Sequence, residues 1–264
     1  MNEIYSALEK IKITKPLVHH ITNWVTIYDC ANITRCIGAL PVMAHAIEES
    51  SDMTGIAQSL VLNIGTLTPN LVKSMISAGK RANKMGIPVV LDAVGVGATN
   101  LRTVKAKEIL REVKVSILKG NAGEIGILAG NKAEVKGVES MGVEGSVEEI
   151  AKSLARKHRL TVVITGKEDV VSDGENVYFV SNGHDMMGSI VGTGCMLASV
   201  IGAFAAVDKD FAKASAFALV CFGIAGELAA ERAKGPGTYK EMFYDELYNL
   251  DREKIDKLKK LRVE

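Results

Sequence analysis

Short apolar runs recur along the chain, separated by longer stretches in which apolar and polar positions follow a helical spacing. The runs hold few polar residues, as do strands that are buried on both faces of a parallel sheet. They predict strands at 16–21, 39–43, 59–63, 87–92, 115–119 and 161–165. Two further runs, 169–171 and 176–180, flank a polar turn and predict a hairpin.

The stretches between these strands carry the signals that start and stop helices. Pro69 stands at a first helical position, and Gly86 follows the end of the same stretch. Ser146 and Glu149 have the spacing of a capping box. The predicted helices cover 3–11, 24–38, 70–85, 101–114, 122–128, 146–158, 194–207, 209–232 and 240–262. The polar, glycine-containing stretch 131–145 is interpreted as a surface loop.

Strands that alternate with helices in this way predict an α/β fold, with a central, mostly parallel sheet and helices on both faces. The hairpin adds antiparallel strands, and Pro41 indicates an edge strand or a strand end at 39–43. No internal repeat or low-complexity linker divides the chain, so residues 1–264 are expected to form one domain.

The composition excludes several classes of protein. With a net charge of +1 and 24% charged residues, the chain has no electrostatic case for binding nucleic acid or a membrane surface. The N-terminus is mixed and charged rather than a signal peptide, and the apolar run 196–207 is too short to span a bilayer. We therefore expect a cytoplasmic protein. None of the four cysteines forms a C-x-x-C pair, which argues against zinc and redox motifs.

A glycine-rich turn, Gly192-Thr193-Gly194-Cys195, leads directly into a predicted apolar helix. The first N–H groups of a helix have no partner within it, and the helix dipole adds positive charge at the same end. Glycine also lets the backbone approach a ligand closely. The turn therefore predicts an anion-binding site, with the Cys195 thiol at its positive end.

Polar residues stand where the predicted strands end, and ligands of open α/β sheets bind beyond the carboxyl ends of the strands. Asn63 ends one apolar strand, Asp92 the next, Lys119 a third and Thr165 a fourth. Asp92 is either a turn cap or a carboxylate for a metal, a hydroxyl or a bound water. Lys119 is either a surface lysine or a partner for phosphate.

Asn121 and Glu124 stand three apart at the start of a predicted helix. This spacing suits helix capping. It also suits a Mg²⁺ ion that keeps most of its waters, because such an ion needs only one or two carboxylates. Neither a GxxxxGK[ST] loop nor a GxGxxG motif after the first strand occurs, so the two common nucleotide-binding motifs are absent.

Taken together, eight ordered segments of the chain resemble the hydroxyethylthiazole kinases of thiamine salvage, which belong to the ribokinase-like fold. The resemblance runs from about residue 15 to 250. The segments that carry it are 16–23, 41–46, 62–67, 90–99, 119–125, 192–195, 235–237 and 247–250.

The resemblance implies phosphorylation of the hydroxyl of 4-methyl-5-(2-hydroxyethyl)thiazole, with ATP as co-substrate and Mg²⁺ as cofactor. It also implies a homotrimer whose thiazole pocket lies between neighbouring subunits. Cys195 matches the catalytic position, and Lys119 and Thr165 match ATP-binding positions. The residues that match or lie near substrate-binding positions are Met43, Gly192, Asn23, Val25 and Thr66.

In the mechanism that follows from this resemblance, the N–H groups of Gly192, Thr193, Gly194 and Cys195 hold the transferring phosphoryl group. Glu124 and Asp92 hold Mg²⁺ through water, and Lys119 adds positive charge. Asp92 and Asn121 are also assigned to the ATP site. Cys195 accepts the proton of the substrate hydroxyl, where most kinases of this fold carry an aspartate.

The chain departs from the family pattern at three positions. Lys119 replaces a usual arginine, which keeps the charge but loses the bidentate fork. Ala93 replaces a usual proline after Asp92, and Asp185 replaces a usual proline after His184.

Several residues also have structural interpretations, and three other functions stay open. Met43 suits core filling as well as contact with a flat thiazole. His19, His20, His45 and His184 suit structural hydrogen bonds better than catalysis. The alternative functions are a kinase of the same fold acting on hydroxymethylpyrimidine, pyridoxal or a sugar, an ADP-dependent dehydratase of that fold, and a non-catalytic nucleotide-binding module.

Overall fold

The computed structural model describes residues 3–130 and 146–264, so the predicted loop 131–145 lies outside the described residues. In the described part, nine strands form one sheet in the order β2-β1-β3-β4-β5-β6-β7-β8-β9. The strands are β1 Leu17–Ile21, β2 Leu40–Val42, β3 Ser59–Asn63, β4 Val89–Asp92, β5 Ile117–Asn121, β6 Thr161–Thr165, β7 Asp169–Ser172, β8 Val177–Val180 and β9 Leu261–Val263. Strands β1 to β6 are parallel to one another, whereas β7, β8 and β9 are antiparallel additions.

Eleven α-helices connect and cover these strands in the described part of the chain. They are α1 Glu3–Thr14, α2 Ile27–Cys36, α3 Ser50–Ile56, α4 Pro69–Met85, α5 Asn100–Glu112, α6 Ala122–Ala129, α7 Val147–His158, α8 Thr193–Val207, α9 Phe211–Arg232, α10 Pro236–Tyr248 and α11 Arg252–Leu258. A short 3₁₀ helix, Asp185–Ser189, precedes α8.

Alternate residues of the parallel strands face two separate apolar cores. Val61 and Val90 pack with residues of α1, α2, α8, α9, α10 and α11, whereas Leu60 and Leu91 pack with residues of α4, α5, α6 and α7. Each central strand is therefore buried on both faces, as its continuous apolar sequence predicts. Helix α8 approaches β3 closely, since a Cβ atom on Gly202 would lie 2.6 Å from Val61 Cγ2.

Local capping signals identify several helix ends correctly. Thr68 accepts a hydrogen bond from the N–H of Leu71, Pro69 is the first residue of α4, and Gly86 ends the helix in the left-handed conformation at φ 68°. Ser146 and Glu149 form the predicted capping box at the start of α7. The edge position indicated by Pro41 is also confirmed, because β2 is the outermost strand.

The prediction of one helix over 240–262 is wrong. The structure has α10, which starts earlier, then α11, and finally β9. Asp251 interrupts the helix because its side chain accepts the N–H of Lys254 and starts α11. Strand β9 then pairs with β8 at the end of the sheet, a long-range pairing that helical spacing cannot reveal.

Two smaller differences affect the regions around the site. Helix α3, between β2 and β3, was not predicted. Strand β5 continues to Asn121, so Lys119 lies inside the strand rather than at its end.

In the described residues, α9 has the length and hydropathy of a membrane-spanning helix, but 78% of its apolar window is buried inside the protein. It belongs to the core on the α8 side of the sheet.

Candidate active site

Three neighbouring strands bring Asn63, Asp92 and Lys119 side by side at the carboxyl edge of the sheet. Asn63 pairs with Asp92 between β3 and β4, and Asp92 pairs with Lys119 between β4 and β5. Since side chains alternate between the two faces of a strand, all three point to the face that carries α8. The three residues are buried.

Asp92 and Lys119 form a buried ion pair at the centre of this edge. Lys119 Nζ donates to Asp92 Oδ1 at 3.0 Å, and Asn63 Nδ2 donates to Asp92 Oδ2 at 2.7 Å. Burial raises the pKa of Asp92 above its usual value, and the two donors oppose that change. Burial alone would lower the pKa of Lys119, but the nearby carboxylates of Asp92 and Glu124 raise it, so this lysine stays charged.

The predicted anion-binding turn lies directly above the Lys119 ammonium. Gly192 precedes α8 in the left-handed conformation at φ 94°, and a Cβ there would lie 2.4 Å from Thr26 Cγ2. A Cβ on Gly194 would lie 3.0 Å from Lys119 Nζ. The first N–H groups of α8 and one lysine charge therefore share the same small region, which favours an anionic ligand.

The side chain of Thr193 serves a different purpose from its backbone. Its hydroxyl donates to the carbonyl oxygen of Met187 at 3.1 Å and so ties the start of α8 to the preceding 3₁₀ helix. Thr193 can therefore offer an anion its backbone N–H.

Cys195 lies in the first turn of α8 and is buried at the inner side of the site. Asn23 Nδ2 donates to its sulfur atom at 3.3 Å and to Asn63 Oδ1 at 3.0 Å. Asn23 was predicted as a substrate-binding residue; the structure places it in direct contact with the thiol.

Asn121 and Glu124 form a complete capping box at the start of α6. The two oxygens of Glu124 accept the N–H groups of Gly95, at 2.7 Å, and Asn121, at 2.8 Å. The structural interpretation of this pair is thus realised. Because a carboxylate has about four lone-pair positions, Glu124 can still accept hydrogen bonds from the waters of a hydrated cation.

Asp92 and Glu124 are the acidic pair of the site, and Glu124 contributes to the raised pKa of Asp92. The described residues contain no cluster of three or more histidine, cysteine or acidic side chains that could hold a metal directly. This donor set fits Mg²⁺ that is bound mostly through its own waters, rather than a tightly ligated transition metal.

Thr165 and Asp169 lie on the far side of Lys119, at the turn between β6 and β7. The Thr165 hydroxyl donates to the carbonyl oxygen of Gly120 at 3.4 Å. Asp169 Oδ1 accepts the N–H of Gly166 at 2.9 Å. Burial raises the pKa of Asp169 to about 7, although the charge of nearby Lys119 opposes the change.

Asn63 and Asp169 are site residues that the sequence did not assign to a role. Asn63 ends an apolar strand just as Asp92 does, so the strand-end pattern places it in the same row of polar residues without giving it a role. Asp169 begins the return strand of a hairpin, and only the pairing of β6 with β7 shows that it comes back to the site.

Trp24 joins the three loops that hold the predicted substrate residues. Its backbone N–H donates to the Thr66 hydroxyl at 3.0 Å, and its ring centre lies 4.7 Å from that of His45. Val25 and Met43 stand next to these contacts on the loops after β1 and β2. Met43 is half-buried, whereas Val25 is 66% exposed, so this side of the site opens to solvent in the single chain.

The histidines make structural contacts. His19 bonds Thr54 Oγ1 and the carbonyl oxygen of Ala44, and burial lowers its pKa to about 4. Burial likewise lowers the pKa of His20 to about 3. Both rings are therefore neutral at pH 7. His184 Nδ1 accepts the N–H of Met186 at the start of the 3₁₀ helix.

The structure gives a physical meaning to one departure from the family pattern. The N–H of Ala93 donates to the carbonyl oxygen of Lys119 at 2.9 Å, and proline could not make this bond. Asp185 begins the 3₁₀ helix and is exposed; nothing in the structure explains its substitution for proline.

Known proteins share both the sequence and the fold. Residues 8–253 match the hydroxyethylthiazole kinase family. A hydroxyethylthiazole kinase of Methanosarcina mazei is 58% identical over 96% of this chain and 97% of the relative. The structure of the hydroxyethylthiazole kinase protein from Pyrococcus horikoshii OT3 superposes with a TM-score of 0.92, at 44% identity and with both chains covered completely.

A more distant structure, the pyridoxal kinase of Staphylococcus aureus with pyridoxal, has a TM-score of 0.62 at 15% identity, covering 81% of this chain and 88% of that one. At this identity the likeness concerns the fold alone. The predicted class, a ribokinase-like α/β fold with a mostly parallel sheet between helices, is confirmed.

Proposed function

The chain belongs to the hydroxyethylthiazole kinase family, and from this premise we propose that it uses ATP to phosphorylate the hydroxyl of 4-methyl-5-(2-hydroxyethyl)thiazole in thiamine salvage. The observation that carries the proposal is the position of the Lys119 ammonium directly below Gly194, at the N-terminus of α8 and close to the buried Cys195 thiol. Positive charge, free N–H groups and a proton acceptor meet there.

The triphosphate lies at the N-terminus of α8 in this proposal. The N–H groups of Gly192, Thr193 and Gly194 hold the transferring phosphoryl group, and Lys119 neutralises part of its charge. Phosphoryl transfer has a loose transition state with charge spread over the equatorial oxygens, so positioning and charge neutralisation supply most of the catalysis. Asn121 and Thr165 border the same edge and contact the nucleotide.

Asp92 and Glu124 would hold Mg²⁺ through water, since each carboxylate already accepts two hydrogen bonds and keeps lone pairs for more. When bound, the ion supplies neutralisation of the negative charge on the phosphates.

Cys195 accepts the proton of the attacking hydroxyl. Its sulfur atom lies at the first turn of α8, and Asn23 donates a hydrogen bond to it. The base is the thiolate, which becomes a thiol when it takes the proton. Because free cysteine ionises at a higher pH than the aspartate of most kinases of this fold, less of the base is available, and proton transfer occurs late, as the oxygen–phosphorus bond forms.

The thiazole ring binds among Met43, Val25, Thr66 and Gly192, with Asn23 at the inner end. Trp24, Val25 and Tyr28 are large apolar side chains at this opening, and Tyr28 is 75% exposed. A homotrimer that places a neighbouring subunit against this surface would bury these side chains and complete the pocket. In this proposal the whole chain, residues 1–264, acts as one cytoplasmic domain with no nucleic-acid or membrane partner.

The deciding experiment measures ADP release from ATP with and without the thiazole alcohol. We expect release that depends on the alcohol and on Mg²⁺, a lower turnover number in Cys195→Ala, and an equal or higher one in Cys195→Asp. Cys36→Ala is the matched control, because Cys36 is a half-buried free cysteine away from the site.

Three outcomes would contradict the proposal or a part of it. ATP turnover that does not need the alcohol would favour the dehydratase, and nucleotide binding without any ADP release would favour the non-catalytic module. Faster turnover with pyridoxal, hydroxymethylpyrimidine or a sugar would favour another kinase of this fold. If Cys195→Ala is as fast as the parent from about pH 6 to 9, a range that spans the usual thiol pKa, Cys195 is not the base.

A further inference from the structure

Two buried amides connect the thiol of Cys195 to the ion pair at the centre of the site. Asn23 Nδ2 reaches Cys195 Sγ at 3.3 Å and Asn63 Oδ1 at 3.0 Å, and Asn63 Nδ2 reaches Asp92 Oδ2 at 2.7 Å. We propose that Asn63 is a positioning residue for phosphoryl transfer: it aligns the Asn23 amide so that one of its N–H bonds points at the Cys195 sulfur. This inference rests on the proposed function for its catalytic meaning.

The direction of each amide follows from its partners. An ionised carboxylate can only accept hydrogen bonds, so Asn63 must turn its NH₂ group to Asp92. Its oxygen then faces the other way, where it accepts from Asn23 Nδ2 and from the N–H of Gly65 at 2.9 Å. The charge on Asp92, held by Lys119, thus sets the orientation of Asn63.

The orientation of Asn23 is fixed from its other end as well. Its oxygen accepts the N–H groups of Val25 and Thr26, both at 3.1 Å, and the Thr26 hydroxyl at 3.1 Å. Both protons of its NH₂ group are therefore directed to the opposite side. One goes to Asn63 and the other to Cys195, which leaves the sulfur as the acceptor.

Burial makes this arrangement rigid. Asn63 is 1% exposed, Asn23 is 3% exposed and Asp92 is fully buried, so water does not replace a lost partner readily. An unpaired buried amide is unfavourable, which resists rotation of either side chain. Asn63 itself has all of its polar atoms engaged by protein, so it acts on the reaction through Asn23 rather than by touching substrate.

The test compares Asn63→Leu with the parent in two assays. We expect the turnover number to fall about tenfold or more, the effect of losing one hydrogen bond to a charged group, while the KM values for ATP and the thiazole alcohol stay within about twofold. Alkylation of Cys195 by iodoacetamide at a fixed pH, followed on its own peptide by mass spectrometry, should slow by a similar factor. This second assay needs no substrate, so it separates failure of this inference from failure of the proposed function.

A double-variant comparison distinguishes positioning from general damage. Asn23→Ala should slow alkylation as Asn63→Leu does, and the two together should be no slower than the slower single variant. Asn83→Ala is the matched control: this asparagine bonds the backbone of Lys114 at the opposite end of the sheet and should leave alkylation unchanged. If Asn63→Leu does not fold, the smaller Asn63→Ala replaces it.

Unchanged alkylation of Cys195 in a folded Asn63 variant would overturn the inference. So would fully additive losses in the Asn23 and Asn63 double variant, because residues that act in sequence cannot contribute independently.

Discussion

Lys119 Nζ lies 3.0 Å from Asp92 Oδ1 in a part of the site where both side chains are removed from solvent. A buried ion pair contributes little net stability when both partners are present, but removal of one partner leaves an uncompensated charge. The lysine ammonium lies at the N-terminus of α8, and the aspartate keeps it charged and in place. The pair therefore suits the binding of an anion.

Replacing Lys119 by methionine should show both how far its ion pair with Asp92 affects stability and how far its charge affects activity with ATP. We expect the free energy of unfolding to fall by about 3–5 kcal/mol because Asp92 is left unpaired in the interior. Activity with ATP should be lost. Thermal or urea denaturation of Lys119→Met, Asp92→Asn and the double variant measures the stability effect.

The double variant provides the internal control, since it contains no unpaired charge. It should be more stable than Lys119→Met while remaining inactive. If Lys119→Met alone unfolds like the parent, the two side chains are not paired in solution. Lys119→Arg, which restores the usual family residue, should retain ATP turnover because the charge is kept.

How far the sequence predicts this site depends on whether a residue is marked by its own neighbours in the chain or by contacts between strands. Asp92, Lys119 and Thr165 follow from the rule that parallel strands end at one edge, and Gly192 and Gly194 follow from the turn before an apolar helix. These signals are local. The strand-end rule also points to Asn63, but the roles of Asn63 and Asp169 needed the register between strands, because those roles come from the side chains beside them and not from their own neighbours in the chain.

The difference between local signals and long-range contacts also explains which parts of the fold could be predicted. Pro69, Gly86 and the Ser146–Glu149 box mark helix ends by local backbone chemistry, and those ends were predicted closely. The apolar residues of β9 also suit helical spacing, and only the pairing of β9 with β8 makes this segment a strand. The role of Glu124 was left open between capping and metal binding, and the structure shows that it caps α6 while facing Asp92.

Gly192 and Gly194 should respond differently to alanine. Gly192→Ala places a Cβ 2.4 Å from Thr26 Cγ2 and strains a backbone at φ 94°, so the melting temperature should fall. Among the described residues, Gly194→Ala meets the flexible end of Lys119 at 3.0 Å, so the protein should fold, but the KM for ATP should rise because the methyl group would occupy the proposed phosphate position.

Melting curves and ATP titrations of both glycine variants test this contrast. Gly126→Ala is the control: it lies within α6, and among the described residues no atom beyond its own stretch of helix lies within 4 Å of its Cβ position, so it should be neutral or slightly stabilising. Equal effects of the Gly192 and Gly194 substitutions on melting temperature would contradict the distinction.

Arg102 should matter for catalysis although it lies on α5. Its guanidinium donates to the carbonyl oxygens of Ile64 and Val94, both at 3.0 Å, and of Gly65 at 2.6 Å. It therefore ties together the loops after β3 and β4, which carry Thr66 on one side and the Gly95 N–H on the other. Lysine cannot make this set of bonds from one ammonium group.

We expect Arg102→Lys to lower kcat/KM for both substrates by about tenfold, a typical effect of small displacements in a positioned site, while the protein stays folded. Steady-state kinetics with each substrate varied in turn provides the measurement. Arg111→Lys on the same helix is the control, since its exposed side chain bonds Glu112, its neighbour in the chain. If Arg102→Lys has the same kinetics as Arg111→Lys, the loops after β3 and β4 hold their positions without the hydrogen bonds of Arg102.

Asp169 should make the protein less stable as the pH rises. Burial raises the pKa of this carboxyl group to about 7, with Glu168 adding to the change and Lys119 opposing it. Between its ordinary pKa near 4 and this value, the folded state binds more protons at Asp169 than the unfolded state does. Stability contributed by the neutral form is therefore lost as the pH rises through that range.

The isosteric variant Asp169→Asn keeps an oxygen for the Gly166 N–H but cannot ionise. Its melting temperature should exceed that of the parent at about pH 8 and approach it at about pH 4, the lower end of the titration range. Asp173→Asn is the control of opposite sign. Burial alone would raise the pKa of Asp173, but hydrogen bonds from Glu175 and Asn176 hold that pKa below its usual value. That variant should lose stability at the higher pH. A difference between Asp169→Asn and the parent that stays constant with pH would mean that this carboxyl group titrates normally in the folded protein.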